Sequence, residues 1–334
     1  MVSIGVLLAV LSGLANGLFT APMKMEARWK WENIWFVFIV TSCLAMPFAV
    51  VRLSSPGYAA VYRAAPASAV AAALGFGFAW GFGAISFGRS VDALGVSLAN
   101  SLVLGVSSAL GSLVPLIMTR PAVSASGLAA LFAGIAAFIV GVGLCGAAGR
   151  ARDAATAAKH GGVPLTAYFF AVVAGVMSAV FNIGYTLALP VAAAGVRLGC
   201  SPTAATNTIW LLMLAAGSLP NLAYCGWLMR GHRTARLLWQ ARPLASWARA
   251  VGMGILWGGS IFLYGAATPK LGRFGPSVGW PLSLAVALLV ANLMGLLLRE
   301  WRGSSALARR RMYAGIATLL AAIGLCALAS GMGA

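Results

Sequence analysis

The chain has 334 residues, of which 61% are hydrophobic and only 8% are charged, and its formal net charge is +18 at pH 7. Soluble domains carry about 25% charged residues, so this composition excludes a soluble globular protein and indicates an integral membrane protein. The Lys and Arg residues lie in short segments between apolar runs, where they orient helices, and this pattern does not predict a basic domain that binds nucleic acid.

Ten apolar stretches follow one another along the chain, and each is long enough to cross a bilayer. A crossing needs roughly 20 residues, and lipid favours helices because the backbone polar groups must be satisfied within one segment. The predicted fold class is therefore all-α integral membrane, with ten transmembrane helices. The predicted spans are 3–23, 33–52, 66–88, 95–118, 125–148, 164–188, 203–228, 249–268, 275–298 and 312–332.

The basic residues are unevenly distributed between these spans. The segments after odd-numbered spans hold 17 of the Lys and Arg residues, and the segments after even-numbered spans hold 6. Because short cytoplasmic loops carry the excess of positive charge, the first group is expected in the cytoplasm. Both termini are then predicted to lie on the opposite side of the membrane.

The second half of the chain repeats parts of the first half in the same order. One constant offset aligns Trp80-Gly81 with Trp257-Gly258. Two similar offsets align Ala9, Val10, Gly13 and Phe19 with Ala171, Val172, Gly175 and Phe181, and Gly95, Ser97, Leu102 and Leu104 with Gly275, Ser277, Leu282 and Leu284. We interpret the chain as two five-helix repeats, 1–148 and 164–334, joined by a cytoplasmic linker at 149–163. Because five is odd, the repeats cross the membrane in opposite directions, which is typical of carriers that hold their substrate near the midplane.

Amide and aromatic side chains within the spans are predicted to line a solute site. A buried amide is costly unless it has a partner or faces an aqueous cavity, so these side chains are candidates to contact a small polar solute. The predicted substrate-binding residues are Asn16, Trp80, Asn100, Asn182, Tyr185, Asn207, Trp257, Tyr264 and Trp280. The alternative interpretation is that the amides fix helix packing and that the two tryptophans pack against their neighbouring glycines.

None of the five acidic residues lies at the centre of a predicted span. Glu32 and Asp92 are nearest to span ends and are the candidates for proton coupling, because a proton relay needs an ionisable group within the membrane. The alternative is a surface charge that pairs with a nearby Lys or Arg. The spans contain no paired carboxylates, no His/Cys ligand cluster and no H-E-x-x-H pattern, so no metal, cofactor or enzymatic activity is predicted.

One stretch has a distinctive pattern of tryptophans: Ala21-Pro22-Met23-Lys24 followed by Trp29-Lys30-Trp31-Glu32-Asn33-Ile34-Trp35. It resembles the L-rhamnose–proton symporter family of the drug/metabolite transporter superfamily, and the similarity continues nearly end to end. Further similar positions are Trp80-Gly81, Gly88, Leu94-Gly95, the Trp257 region and Leu298-Arg299-Glu300-Trp301. The resemblance implies ten helices, a bacterial inner membrane location, and uptake of a neutral sugar such as L-rhamnose coupled to protons. An efflux carrier for metabolites or drugs, a membrane enzyme and a non-transporting sensor stay open as alternatives, as does the oligomeric state.

Overall fold

The computed structural model describes residues 2–55, 57–94, 96–119, 124–157, 165–240, 244–272, 275–297, 301 and 304–332. Within these ranges all regular structure is helical. Ten stretches are long and apolar enough to cross a membrane, which confirms the ten predicted spans. In chain order they are Val2–Met23, Trp31–Ser54, Ala67–Ser90, Ala99–Met118, Ala125–Arg152, Leu165–Arg197, Pro202–His232, Leu244–Lys270, Gly275–Met294 and Ala306–Met332.

Most of these spans are single long helices, and short helices flank several of them. The long helices are Val2–Leu18, Ala67–Leu94, Val96–Thr119, Ala125–Ala157, Leu165–Leu187, Pro202–His232, Leu244–Ala267, Gly275–Leu297 and Ala306–Met332. The short ones are Ala21–Lys24, Tyr58–Ala64, Leu189–Arg197 and the 3-10 turns Ala235–Leu238 and Thr268–Lys270.

Three spans extend well beyond their predicted limits. The eighth begins at Leu244 and the tenth at Ala306, five and six residues earlier than the hydropathy indicates. The sixth continues to Arg197 because a second helix, Leu189–Arg197, follows it and carries Pro190 in its first turn, where proline is tolerated. Hydropathy marks only the part of a helix in hydrocarbon, whereas the hydrogen bonds of the helix continue into the interface, where Lys and Arg reach water.

The second span is broken by a π-helical segment. Its α-helices Trp31–Ile39 and Met46–Ser54 are joined by Val40–Ala45, where the N–H of Met46 donates to the carbonyl of Thr41. Pro47 supplies the physical reason. It has no N–H to donate to the residue four positions earlier, and its ring would clash with that carbonyl, so the preceding turn widens.

The chain folds into two compact units. The first unit contains Met1–Gly17, Gly83–Asn182 and Ala267–Ala334, and the second unit contains Leu18–Phe82 and Ile183–Ala266. The first unit therefore holds the fourth, fifth, ninth and tenth spans complete. The second unit holds the second and seventh spans complete.

In the first unit, the fifth and tenth spans pack through reciprocal glycine and cysteine contacts. A Cβ atom at Gly134 would lie 2.8 Å from Sγ of Cys326, and a Cβ atom at Gly315 would lie 2.5 Å from Sγ of Cys145. The spacing along the chain from Gly134 to Gly315 equals the spacing from Cys145 to Cys326. The two contacts are therefore the same contact with the partners exchanged.

A second reciprocal pair joins four other spans of the first unit. A Cβ atom at Gly13 would lie 2.5 Å from the carbonyl oxygen of Ser283, and one at Gly175 would lie 2.9 Å from the carbonyl oxygen of Val103. The predicted repeat aligns Gly13 with Gly175. The offset that aligns the leucines on either side of Val103 with those on either side of Ser283 also pairs Val103 with Ser283. Thus the first span meets the ninth as the sixth span meets the fourth.

Candidate functional site

The two tryptophans that the predicted repeat aligns stack on each other in the second unit. The ring centroids of Trp80 and Trp257 are 5.1 Å apart and the ring planes differ by 12°. In this arrangement the rings contact each other, and no solute ring lies between them. Trp80 is only 8% exposed, whereas Trp257 is half-buried. Part of the Trp257 side chain, on the eighth span, therefore stays accessible.

The glycines beside Trp80 bring the third span into backbone contact with the seventh span. A Cβ atom at Gly77 would overlap the backbone of Met213, and a Cβ atom at Gly81 would lie 2.5 Å from the carbonyl oxygen of Gly217. Close approach of this kind depends on small residues four positions apart on one helix face.

The same pattern, Gly-x-x-Trp-Gly, recurs on the eighth span and packs against the second span. A Cβ atom at Gly254 would lie 2.6 Å from Cβ of Thr41, and one at Gly258 would lie 2.8 Å from Sδ of Met46. The eighth span therefore meets the second beside its π-helical segment. Both predicted tryptophans are packed against glycine-lined helix contacts, and only Trp257 also offers open surface.

The predicted residues Tyr185 and Tyr264 form a closed aromatic cluster with Trp210. Tyr185 and Trp210 stack with centroids 4.4 Å apart and planes 2° apart, and Tyr264 lies 5.8 and 6.0 Å from them. All three side chains are fully buried, and a Cβ atom at Gly265 would overlap the indole of Trp210. In this arrangement the cluster acts as packing of the second unit.

Asn221, which is not among the residues predicted from the sequence, joins three spans in the second unit. Its Oδ1 accepts a hydrogen bond from Nε1 of Trp35 at 3.0 Å, and its Nδ2 donates to the carbonyls of Gly81 and Gly217, each at 3.0 Å. Asn221 falls inside the predicted seventh span, so a complete census of amides in the spans would have found it.

Glu32, one of the two candidates for proton coupling, begins the second span and is buried. Its Oε1 accepts a hydrogen bond from Oγ1 of Thr234 at 2.8 Å and lies 3.1 Å from Nδ1 of His232. The neighbouring Asn33 donates to the carbonyl of Thr234 at 3.0 Å. The start of the second span is therefore bound to the residues at the end of the seventh. The sequence predicts His232 in a loop, but it is the last residue of the seventh helix.

Asn207, near the start of the seventh span, makes the contact at the other end of the same helix pair. Its Nδ2 donates to Oγ of Ser54, the last residue of the second span, at 3.2 Å. Tyr62 also donates to the carbonyl of Thr208 at 2.9 Å. Oδ1 of Asn207 is buried and accepts no hydrogen bond from the described residues.

Glu26, in the segment before the second span, has every acceptor site engaged. Oε1 accepts from the backbone N–H groups of Arg28 and Trp29 and from the hydroxyl of Ser246, and Oε2 pairs with Nη1 of Arg249 at 2.9 Å. The carboxyl side chain is 1% exposed. Although burial raises the pKa of Glu26, the hydrogen bonds from Arg249, the two N–H groups and Ser246 outweigh it and lower the pKa from 4.5 to about 2.

We expect Glu26→Gln to lower the free energy of unfolding by about 2 kcal/mol at neutral pH, since it leaves Arg249 without its anionic partner. The folded pKa is depressed, so this stabilisation is complete above the unfolded pKa of 4.5 and is lost as the pH falls towards about 2. Thermal unfolding of the detergent-purified protein across this range is the measurement. A difference from wild type that stays constant between neutral and strongly acidic pH would contradict the assignment.

In the first unit, the predicted residues Asn182 and Trp280 lie in one polar cluster on the sixth, fourth and ninth spans. Nδ2 of Asn182 donates to the carbonyl of Gly111 at 2.7 Å and to that of Pro276 at 3.3 Å. Nε1 of Trp280 donates to Oγ of Ser107 at 3.1 Å. The cluster keeps polar atoms of three spans close together within the apolar interior.

Two more hydroxyls of the fourth span lie next to this cluster along the helix. Oγ of Ser108 and Oγ of Ser112 are buried and have no hydrogen-bond partner among the described residues. They are four residues apart and so share one helix face. Because buried polar groups are usually paired, these hydroxyls represent unused capacity to bind a polar solute.

The remaining predicted residues are not drawn into either cluster. Asn16 and Asn100 are half-buried in the first and fourth spans. The side chain of Asp92 lies outside the described residues, so its candidacy for proton coupling stays a prediction. Among the described residues, no group of three His, Cys, Asp or Glu side chains could hold a metal ion.

Comparisons with known proteins match the whole chain. A family model described as L-rhamnose-proton symport protein matches residues 1–334. An L-rhamnose-proton symporter of Cronobacter sakazakii is 28% identical over 314 residues, covering 90% of each chain, and one of Klebsiella pneumoniae is 26% identical over 315 residues, covering 91% of each chain. A crystal structure that is 15% identical aligns with a TM-score of 0.55 over 96% of this chain and 98% of its own, a likeness of fold alone.

Proposed function

The chain belongs to the L-rhamnose-proton symport protein family, and from this membership we propose that it takes up L-rhamnose, or a closely similar neutral sugar, together with protons. The observation that carries the proposal is the family match over residues 1–334. The ten apolar helices in the described part of the chain, together with the symporter family, indicate a multi-pass inner membrane protein. Efflux, enzymatic activity and a sensor role are not favoured, because the family and the named relatives are symporters.

The transport mechanism we propose is alternating access by two inverted repeats, 1–148 and 164–334, joined by the linker 149–163, with both termini in the periplasm. The reciprocal contacts support it. When two halves are related by a two-fold axis, each contact between them recurs with the partners exchanged, and equivalent residues on the axis touch each other. The glycine contacts of the first unit recur with the partners exchanged. The stacked Trp80 and Trp257 of the second unit are equivalent residues that touch each other.

The substrate contacts we propose rest on groups that are accessible or unsatisfied. In the second unit, Trp257 offers aromatic surface to the apolar face of a sugar. As a separate candidate within the first unit alone, Ser108 and Ser112 offer hydroxyls beside the cluster of Asn182 and Trp280. Tyr185 and Tyr264 are fully buried in this structure, so a substrate contact by either ring requires another conformation of the carrier.

Purified protein in liposomes tests the proposal. Vesicles that are alkaline inside and acidic outside should accumulate labelled L-rhamnose, and a protonophore should abolish the accumulation. A gradient of about two pH units supports up to about 100-fold accumulation with one proton per sugar, since each unit is worth a factor of ten. Absence of both gradient-driven uptake and exchange for L-rhamnose and a panel of other hexoses would remove the proposal.

We expect Trp257→Ala to raise the KM for L-rhamnose by about fivefold to tenfold, because a ring contact of this kind contributes about 1 kcal/mol. Trp257→Phe should recover part of the loss. The matched control is Trp227→Ala, since Trp227 is 67% exposed on the seventh span and its removal should leave KM unchanged. Equal KM values for wild type and Trp257→Ala would remove Trp257 from the substrate site.

A further inference from the structure

The two ends of the second and seventh spans are fastened by chemically different contacts. The segment Glu32-Asn33-Ile34-Trp35 near the start of the second span corresponds to Asn207-Thr208-Ile209-Trp210 near the start of the seventh, with Ile and Trp in the same two places. Glu32 binds residues that end the seventh span, and Asn207 binds the residue that ends the second. The two fastenings are thus equivalent in position, but only the one at Glu32 contains a carboxyl group.

The Glu32 contact depends on the charge of the carboxylate. One oxygen, Oε1, is close to both the Thr234 hydroxyl and the His232 imidazole, at 2.8 and 3.1 Å. A carboxylate oxygen accepts two hydrogen bonds readily, and charge-assisted bonds are about twice as strong as neutral ones. Protonation of Oε1 removes the charge, so the hydrogen bond from Thr234 loses its charged acceptor and the contact with His232 becomes a weaker hydrogen bond between neutral groups. The hydrogen bond between Asn207 and Ser54 has no corresponding response to pH.

His232 gives protons a route to the buried oxygen. The side chain of His232 is 59% exposed, whereas that of Glu32 is 6% exposed. When the imidazole is protonated on both nitrogens, it can pass the proton from Nδ1 to Oε1, after which neutral imidazole retains the proton on Nε2. Reversal of the transfer returns the carboxylate and the imidazolium. No other reactant is required.

Few other ionisable groups face this site. On the seventh helix, the thiol of Cys225 interacts electrostatically with Glu32. Lys30, Arg230 and Arg233 are near in sequence but exposed, and the only ion pair of Glu32 among the described residues is with His232.

We propose that Glu32 and His232 form the proton-binding site of the symporter, and that protonation of Glu32 releases the start of the second span from the end of the seventh. This inference rests on the proposed proton symport. It explains how a carrier with matching repeats responds to protons at one end of a helix pair and not at the other. Glu32 holds the transported proton. Thr234 and Asn33 are positioning residues, because their hydrogen bonds make the contact between the second and seventh spans depend on the protonation of Glu32.

The test compares two activities of Glu32→Gln in liposomes. Glutamine keeps the size and the acceptor oxygen of the side chain but does not titrate. We expect accumulation driven by a pH gradient to fall at least about tenfold, while exchange of internal for external L-rhamnose, which needs no net proton movement, stays within about threefold of wild type. The matched control is Glu26→Gln, which removes a buried carboxylate six residues away and should keep gradient-driven accumulation per folded molecule.

Each outcome decides between the alternatives. Gradient-driven accumulation by Glu32→Gln equal to that of wild type overturns the inference, and so does equal loss of accumulation and exchange in folded protein. If wild type exchanges sugar but never accumulates it, the proposed proton symport fails instead. Should Glu32→Gln not fold, His232→Gln decides: the inference requires its uptake to respond to pH differently from wild type while exchange persists, and an unchanged pH profile overturns it.

Discussion

Gly77→Ala is expected to reduce the ratio of folded to unfolded protein about 100-fold, although alanine is the better helix former. The added methyl would overlap the backbone of Met213 on the seventh span, and no side-chain rotation relieves a clash with backbone. Overpacking costs about 1–3 kcal/mol, and this position belongs at the upper end of that range. Fluorescence-detected gel filtration and thermal unfolding in detergent measure the effect.

Gly75→Ala is the matched control on the same helix. A Cβ atom at Gly75 meets nothing within 4 Å, so the substitution should stabilise the protein by about 1 kcal/mol through helix propensity. If both variants behaved alike, the close contact between the third and seventh spans would be absent from the native protein.

Asn221→Leu is expected to destabilise the second unit by about 3 kcal/mol. The substitution nearly preserves volume but leaves Nε1 of the buried Trp35 without its acceptor, and a buried unsatisfied donor costs about 1–3 kcal/mol in addition to the hydrogen bonds lost to Gly81 and Gly217. Thermal unfolding of the purified variant gives the magnitude.

A double-mutant cycle separates the unsatisfied donor from the lost packing. Trp35→Phe removes the indole N–H, so adding it to Asn221→Leu should recover at least about 1 kcal/mol relative to the sum of the single variants. Strict additivity of the two substitutions would show that the hydrogen bond between Trp35 and Asn221 contributes nothing measurable.

The ten spans could be predicted because lipid imposes length and hydropathy on each helix independently. The ends could not, since the helices that begin at Leu244 and Ala306 include polar residues that the apolar signal does not mark. The correspondence of Trp80 with Trp257 could be anticipated from spacing alone, because the predicted repeat would give the two residues equivalent surroundings. Their direct stacking could not, since spacing along the chain does not show which side chains come into contact.

The contacts of the candidate site were the least predictable. Glu32 and His232 are far apart along the chain, and nothing local to either indicates the other. In the sequence, Glu32 and Asp92 are the acidic residues nearest to span ends, with a nearby Lys or Arg as the alternative partner, whereas the structure pairs Glu32 with His232. Asn182 and Trp280 were identified as polar and aromatic residues in spans, whereas their common cluster depends on the packing of three helices.

The π-helical segment Val40–Ala45 interrupts the regular α-helical winding of the second span. It separates two α-helices, one containing Glu32 and the other containing Ser54. The π-helical turn between them contains one residue more than an α-helical turn would. A π-helical turn can shift along a helix when a residue exchanges a hydrogen bond to the residue five positions earlier for one to the residue four positions earlier. Each such shift rotates the residue by about 100° around the helix axis. Pro47 has no N–H to donate, so the segment before it cannot return to regular α-helical hydrogen bonding. We therefore expect the two α-helical parts of the second span to rotate relative to each other about the helix axis. One end of the span can then turn while the other end keeps its contacts with the seventh span.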